Sequence, residues 1–313
     1  MYMRVATVDI GTNTVILLVA ERGPDGRVRA VHQEARITRL GQGVDATRRL
    51  HPDAVARTCE ALREYAEAAK THGATAFDVV GTSAMRDAAG AEPVQAAVAQ
   101  GFGKAARILS GDEEATTTFL GAISGLALPD GPAAVYDIGG GSTEIAVGER
   151  QGDGVALAYK KSFDVGSVRL TERHVTGDPP SEASLQKVRD VLREVLAELP
   201  KLAFAGAPVG VAGTMTTLAA VHLGLRTYDG DRVHGARMTL ADLRAVVTRL
   251  AHMPLAERSG VAGLDPKRAD VIVAGGLVAE AVLAALGASE AVVSDRGVRW
   301  GLAEALLRRE ARP

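Results

Sequence analysis

The chain has 313 residues, with 36 Lys and Arg against 38 Asp and Glu, giving a formal net charge of −2. This balance argues against binding of nucleic acid or membranes through bulk positive charge, so a polyanionic ligand must meet a local basic patch. The single cysteine excludes a disulfide framework, an iron–sulfur cluster and a zinc finger. The N-terminus has neither a signal-peptide pattern nor an apolar run long enough to span a membrane. We therefore expect a cytoplasmic protein with no nucleic-acid or membrane partner.

Strands alternate with helices along the first part of the chain, which predicts an α/β fold. The predicted elements here are strands 3–9, 14–20, 27–37, 76–81 and 106–109, and helices 53–70, 92–100 and 111–126. Ser110, followed three residues later by Glu113, is a capping-box pattern at the start of the last of these helices.

The segment 129–132 contains two prolines and breaks the chain, after which a similar pattern begins again. The predicted elements that follow are strands 133–137, 143–148, 155–161, 208–212 and 289–293, and helices within 163–174, over 181–199, after 212, and over 239–250, 266–286 and 298–310. Gly275 and Gly276 lie inside the pattern of the helix 266–286, and we interpret them as sites of close helix packing.

The most informative feature of the sequence is a repeat. Asp9-Ile10-Gly11 and Asp137-Ile138-Gly139 each end an apolar strand, and each leads through a turn of small and hydroxyl residues into another apolar strand. The two copies are a domain's length apart, which indicates one fold used twice. The sequence predicts an N-terminal domain over 1–127 with a first phosphate loop and a C-terminal domain over 128–313 with a second.

Glycine-rich turns of this kind allow backbone N–H groups to approach an anion, and hydroxyl side chains add donors. A third such turn, between a predicted strand and a predicted helix, either binds an anion at the helix N-terminus or is a tight turn in which Thr214 caps the helix. The predicted phosphate-binding residues are Gly11, Thr12, Asn13 and Thr14 in the first loop, Gly139, Gly140, Gly141 and Ser142 in the second, and Gly213 and Thr214 in the third.

Carboxylates stand beside both loops. Asp9 and Asp137 cannot bind phosphate directly because like charges repel, so each makes sense near a divalent cation that bridges to phosphate oxygens. Glu144 is two residues from Ser142, on the same face of its strand, and a hydrated metal ion is a natural partner for an acid among apolar neighbours.

Two further charged segments leave alternatives open. The acids 112–114 open a helix, where they either complement the helix dipole or supply a general base. Arg86 is either a phosphate clamp or a surface charge.

The residues resemble the exopolyphosphatase and guanosine pentaphosphate phosphohydrolase family, in its short two-domain form. The matching segments are VDIGTNTVILLVAE (8–21), ITRLGQGVD (37–45), GTSAMRDA (81–88), ILSGDEEATTTFLGA (108–122), VYDIGGGSTEIAVGE (135–149), DVGSVRLTERH (164–174) and GVAGTMTTLAA (210–220). The resemblance implies two RNase H-like domains of the actin and sugar-kinase superfamily with a cleft between them.

The resemblance also implies roles for individual residues. Glu114 is the position that the family uses to activate water, and Arg86 matches a basic residue expected to hold the terminal phosphoryl group. Asp137 and Glu144, together with Asp9, are expected to position Mg²⁺ or Mn²⁺. The predicted catalytic residues are thus Glu114, Arg86, Asp137 and Glu144.

The implied activity is Mg²⁺-dependent release of terminal orthophosphate from inorganic polyphosphate. We expect a preference for short chains, because the helical module that holds long chains in larger members is not seen here. The alternatives are hydrolysis of guanosine pentaphosphate, an ATP-dependent kinase, and a non-catalytic sensor of polyphosphate or of guanosine tetra- and pentaphosphate in the stringent response. A homodimer is expected.

Overall fold

The computed structural model describes residues 3–24, 26–151 and 154–310. The chain forms two compact units: the first comprises residues up to 121 together with those from 298 onward, and the second comprises residues 122–297. Each unit is built around its own β-sheet.

The first unit holds a five-stranded sheet in the order β3-β2-β1-β4-β5, in which β1, β2 and β3 are antiparallel and β4 and β5 are parallel to β1. Its elements from the first part of the chain are β1 (Arg4–Ile10), β2 (Thr14–Arg22), β3 (Val28–Ile37), α1 (Val44–Thr47), α2 (Pro52–Thr71), β4 (Ala76–Gly81), α3 (Ser83–Asp87), α4 (Glu92–Phe102), β5 (Arg107–Ile108) and α5 (Gly111–Ala122).

The second unit holds a six-stranded sheet in the order β10-β11-β9-β6-β7-β8, in which β6, β9 and β11 are parallel. Its elements are β6 (Ala133–Ile138), β7 (Thr143–Gln151), β8 (Gly154–Phe163), α6 (Ser167–His174), α7 (Glu182–Leu196), β9 (Val209–Val211), α8 (Ala212–His222), α9 (Gly230–Val233), β10 (Arg237–Thr239), α10 (Leu240–Ala251), α11 (Leu255–Arg258), a 3₁₀ helix (Pro266–Arg268), α12 (Ile272–Ala285) and β11 (Glu290–Val293). The last helix of the chain, α13 (Val298–Arg309), belongs to the first unit.

The two sheets repeat one strand order. In each, three antiparallel strands are followed by parallel strands added beside the first, so that β6, β7, β8, β9 and β11 correspond to β1, β2, β3, β4 and β5. This order confirms the predicted α/β fold with two RNase H-like domains. The second sheet extends the pattern by β10, a short strand that was not predicted and that ends where the predicted helix 239–250 begins.

The end of the chain differs from the predicted division at 127/128, because α13 belongs to the first unit. The strands β1 and β2 are apolar on both faces, and each face needs a cover. Val8 packs with Tyr65 of α2 on one face, whereas Val5 packs with Trp300 and Leu307 of α13 on the other. The second cover therefore comes from the distant end of the sequence.

Most predicted elements are present with small shifts at their ends. The predicted helix 266–286 is divided into the 3₁₀ helix and α12, and the predicted helix 111–126 ends at Ala122. Close packing at the two glycines of α12 is confirmed, since a Cβ at Gly276 would lie 2.3 Å from Val247 Cγ2. Among the described residues, no helix is long and apolar enough to cross a membrane.

Candidate active site

The two predicted phosphate loops close in the same way. Gly11 N–H donates to the Thr14 carbonyl oxygen at 3.0 Å, and Gly139 N–H donates to the Ser142 carbonyl oxygen at the same distance. A Cβ would lie 2.9 Å from the Thr14 oxygen at Gly11 and 3.2 Å from the Ser142 oxygen at Gly139. Both first positions therefore favour glycine for its small size.

The loop carbonyls are held by following segments of the chain. The Thr12 carbonyl accepts Gly41 N–H at 2.8 Å in the first loop. The Gly140 carbonyl accepts the N–H groups of Val168 and Arg169 at 2.9 and 3.0 Å in the second, at the start of α6. Each loop is thus fixed by its own unit, with the carbonyls directed toward the supporting segment.

The amides of the central loop residues are left unused. Within the described part of the chain, the N–H groups of Thr12, Asn13, Gly140 and Gly141 donate no hydrogen bond. Consecutive backbone N–H groups in a turn form a concave donor surface suited to a phosphate oxygen. The geometry of both loops is consistent with the predicted phosphate binding.

The hydroxyl of Thr12 has a partner inside the first unit. Its Oγ1 lies 2.6 Å from Ser83 Oγ, and both side chains are buried. Ser83 begins α3, the helix that also carries Arg86. The hydroxyl predicted as an extra phosphate donor is instead engaged with α3, which ties the loop to that helix.

Glu113 and Glu114 have different surroundings at the start of α5. The Ser110 N–H and hydroxyl donate to Glu113 Oε2 at 2.9 and 3.0 Å, and Glu113 N–H donates to Ser110 Oγ at 3.2 Å. The predicted capping box is confirmed, and it gives Glu113 a structural role. Glu114 is 7% exposed, and its Oε2 accepts Arg86 Nη1 at 3.3 Å.

Arg86 is held by several groups at once. Its Nη1 also donates to the Leu109 carbonyl at 3.0 Å, and its Nε lies 3.4 Å from Asp87 Oδ1. The structure thus brings together two of the predicted catalytic residues, Arg86 and Glu114, and orients the guanidinium along the buried carboxylate.

Asp9 ends β1 with one carboxylate oxygen that lacks a partner. Oδ1 is buried and accepts no hydrogen bond from the described residues. Burial raises the pKa of Asp9 to about 6, although the positive charge of Arg299 acts to lower this pKa. A buried carboxylate oxygen without a donor is costly, and a cation or its bound water would satisfy it.

Asp137 and Glu144 lie directly opposite each other on β6 and β7, so their side chains share one face of the second sheet. Glu144 in turn lies opposite Ser162 of β8, whose hydroxyl donates to Glu144 Oε1 at 2.6 Å. The predicted need of Glu144 for a partner is thus met, at least at one oxygen, by a hydroxyl that the sequence reading did not identify.

The acids fit a hydrated cation better than a closed metal cage. Across the residues that the structure describes, no group of three or more His, Cys, Asp or Glu side chains could hold a metal ion. Mg²⁺ commonly uses one or two carboxylates, several waters and substrate phosphates. Carboxylate oxygens of Asp9 or of the Asp137–Glu144 pair suit that mode of binding.

The third glycine-rich turn supports the second loop. The Thr214 hydroxyl donates to the Ile138 carbonyl at 3.2 Å, and α8 begins without a side-chain cap. The alternative in which Thr214 caps the helix is therefore wrong. A Cβ at Gly275 would lie 2.8 Å from Thr214 Cγ2. The glycine at this position therefore lets α12 approach the first turn of α8 closely.

Arg268 is a further residue of this region that sequence reasoning missed. A Cβ at Gly213 would lie 2.0 Å from Arg268 Nη1, so the guanidinium lies against the first turn of α8. Burial lowers the pKa of Arg268. The contact joins residues far apart in the chain, and no motif around Arg268 signals it.

Comparison with known proteins gives similarity along nearly the whole chain. The model of the Ppx/GppA phosphatase family matches residues 18–310. Exopolyphosphatase 2 of Mycobacterium tuberculosis is 41% identical over 97% of this chain and 98% of the relative. Exopolyphosphatase 1 of Mycobacterium bovis is 30% identical over 98% of this chain and 88% of the relative. The crystal structure of an Aquifex aeolicus Ppx/GppA family member is 30% identical, with a TM-score of 0.83 and 100% of both chains covered.

Proposed function

Because the chain belongs to the Ppx/GppA phosphatase family, we propose that it is an exopolyphosphatase, a hydrolase that releases terminal orthophosphate from inorganic polyphosphate. The observation that carries this proposal is the similarity to Exopolyphosphatase 2 over almost the full length of both chains. The two glycine loops with unused amides are consistent with a phosphate-rich substrate.

Glu114 is proposed as the group that orients the attacking water and accepts its proton. The water oxygen forms a bond to the terminal phosphorus, the bond from phosphorus to the bridging oxygen breaks, and the shortened polyphosphate leaves with the electron pair. Arg86, paired with Glu114 at 3.3 Å, positions the carboxylate and supplies positive charge beside it.

The phosphate loops are proposed to bind nonbridging phosphate oxygens through their free N–H groups. Divalent-cation binding, of Mg²⁺ or Mn²⁺ through carboxylate oxygens or bound water, is proposed separately for Asp9 in the first unit and for the Asp137–Glu144 pair in the second. When bound, such a cation neutralises negative charge on the phosphate oxygens.

The finer properties stay predictions. We propose that polyphosphate is preferred to guanosine pentaphosphate and short chains to long ones. We also propose a homodimer and a cytoplasmic location.

The proposed function is tested by orthophosphate release from polyphosphates of several defined lengths, guanosine pentaphosphate and ATP, with and without Mg²⁺. We expect Mg²⁺-dependent release from polyphosphate, and none from a Glu114→Gln variant that still binds polyphosphate. Higher kcat/KM for guanosine pentaphosphate than for every polyphosphate would replace the proposed substrate. Binding of polyphosphate with no release by the wild type would instead indicate a sensor.

A further inference from the structure

We propose that Arg48 and Arg49 bind the distal phosphates of a linear polyphosphate, at a distance from the hydrolysed end. This inference rests on the proposed function and adds a second contact region for the same substrate. It concerns the first unit alone and is carried by the position of the segment 38–50 and by the unpaired charge of its two arginines.

The segment 38–50 is attached to the candidate active site at both ends. Near its beginning, Gly41 N–H donates to the Thr12 carbonyl of the first phosphate loop at 2.8 Å. At its end, Leu50 N–H donates to the Ala89 carbonyl and Ala89 N–H donates to the Arg48 carbonyl, both at 3.0 Å. The backbone of the two arginines is therefore fixed beside the residues that follow α3.

Chain geometry limits the distance from these arginines to Arg86. Ala89 is three residues after Arg86, so their Cα atoms are at most ~11 Å apart. Arg49 pairs with Ala89 in a parallel bridge, which adds about 5 Å. The backbone of Arg49 thus lies within about 16 Å of Arg86, a span that a polyphosphate longer than the shortest substrates can cover.

The two side chains carry charge that the protein does not neutralise. Both are exposed, and neither forms an ion pair or a side-chain hydrogen bond with the described residues. Asp87, on the neighbouring helix, pairs with Arg86 instead. Elsewhere in this unit, Arg36 pairs with Glu64 and Arg107 pairs with Asp78. Arg48 and Arg49 are therefore available to a polyanion.

The backbone of the segment is unusual for arginine. Arg48 ends α1 in the left-handed region, with φ of 55° and ψ of 24°, where glycine is the common residue. Arg39, in the same segment, has φ of 54°, and Ala212 is the third residue other than glycine with positive φ in the described chain. Arg48 thus adopts a conformation that glycine accepts more readily, so Arg48→Gly can remove the charge without requiring a change of backbone.

The test uses Arg48→Gly, alone and with Arg49→Gln. Glycine accepts the left-handed backbone, so the variant removes the charge without disturbing the fold, and its unfolding temperature should equal or exceed that of the wild type. We expect kcat/KM to fall by about threefold to fivefold per arginine on those short polyphosphates that are just long enough to reach from Arg86 to Arg49. The loss should be smallest for tripolyphosphate and should grow with chain length to a plateau.

Two variants serve as controls. Arg49→Lys keeps the positive charge and should recover most of the dependence on chain length. Arg63→Gln removes an exposed arginine from α2 in the same unit and should leave that dependence as in the wild type.

Several results would overturn the proposal. One is an equal loss of kcat/KM in the arginine variants on polyphosphates of all lengths, and another is no loss on any of them. A third is a loss of kcat/KM confined to guanosine pentaphosphate, which would assign the arginines to binding of that nucleotide. If the wild type hydrolyses no polyphosphate, the proposed function fails. Calorimetric binding of long polyphosphate to the wild type and to the double variant then decides the present inference, and equal affinities would refute it.

Discussion

The first and second phosphate loops share one backbone and differ in the charges around it. Both close through a glycine N–H at 3.0 Å. Opposite the strand-end aspartate, however, the first hairpin has Ile16 where the second has Glu144. Asp9 is consequently a single acid with a buried oxygen that lacks a hydrogen-bond partner. Asp137, in contrast, faces Glu144, which accepts a hydrogen bond from the Ser162 hydroxyl.

Under the proposed function, this difference gives the two copies of the repeated fold separate roles. The backbone of the hairpin has the shape proposed to bind an anion in either copy, because that shape depends on glycine and on closure of the turn. The chemistry depends on side chains that each copy adds. The first unit adds the buried carboxylate of Glu114 paired with the partly exposed Arg86, and the second adds two facing carboxylates suited to a cation.

The strongest test of this division is Glu114→Gln, with Glu113→Gln as its matched control. We expect Glu114→Gln to reduce kcat by ~10²–10⁴-fold, because a carboxamide cannot accept the proton of the attacking water. Glu113→Gln should be mild, since glutamine also serves at this position of a capping box. Steady-state orthophosphate release measures both. Near wild-type turnover of Glu114→Gln would remove the assignment of the first unit as the source of the base.

The next test compares the two aspartates as cation ligands. Asp137→Asn should lower kcat/KM by ~10–100-fold and raise the Mg²⁺ concentration needed for half-maximal rate, because it breaks a pair of facing carboxylates. Asp9→Asn should raise the Mg²⁺ requirement less, since Asp9 has no facing acid. Titration of activity with Mg²⁺ measures both, with EDTA-treated enzyme as the inactive baseline. Full activity in EDTA would refute a cation role for either residue.

The third test concerns the pH dependence of stability. The pKa of Asp9 is raised by burial to about 6, so the folded protein holds this proton more tightly than the unfolded chain. Protonated Asp9 therefore adds to the free energy of unfolding at low pH. This addition, of up to about 3 kcal/mol, is lost as the pH rises from about 4 through 6. Urea unfolding at pH 4.5 and 7.5 should show this loss in the wild type and a smaller one in Asp9→Asn. Parallel pH profiles would contradict the isolated state of Asp9.

The extent of successful sequence prediction follows from the same comparison. The repeat of Asp9-Ile10-Gly11 as Asp137-Ile138-Gly139 lies within short segments, so both hairpins and the capping box at Ser110 were predictable from local patterns. The Ser162 hydroxyl on Glu144 and the guanidinium of Arg268 at Gly213 join distant segments. Such contacts depend on strand register and helix packing, which cannot be predicted from the spacing of residues within a short segment.

The place of α13 has the same origin. Its residues form an ordinary helical pattern at the end of the chain, next in sequence to β11 of the second unit. Only the two-sided burial of β1 and β2 reveals that the first sheet needs a second cover. A sequence pattern shows that a helix exists, whereas the sheet that lacks a partner decides where it packs.

The smallest expected effect separates the supports of the two loops. Thr214→Val removes a buried hydroxyl that donates to the Ile138 carbonyl, and Thr12→Val removes one that contacts Ser83. Each should lower the free energy of unfolding by about 1–2 kcal/mol, because a buried partner loses its hydrogen bond.

The effects of these two substitutions on activity should differ. Thr214 acts behind the second loop, so Thr214→Val should mainly raise the Mg²⁺ requirement by displacing the strand end that carries Asp137. Thr12 is tied to the helix of Arg86, so Thr12→Val should mainly lower kcat. Thr214→Ser and Thr12→Ser keep the hydroxyl and should restore each property. If both valine variants changed kcat and the Mg²⁺ requirement in the same proportion, the two loops would act as one unit and the division proposed here would fail.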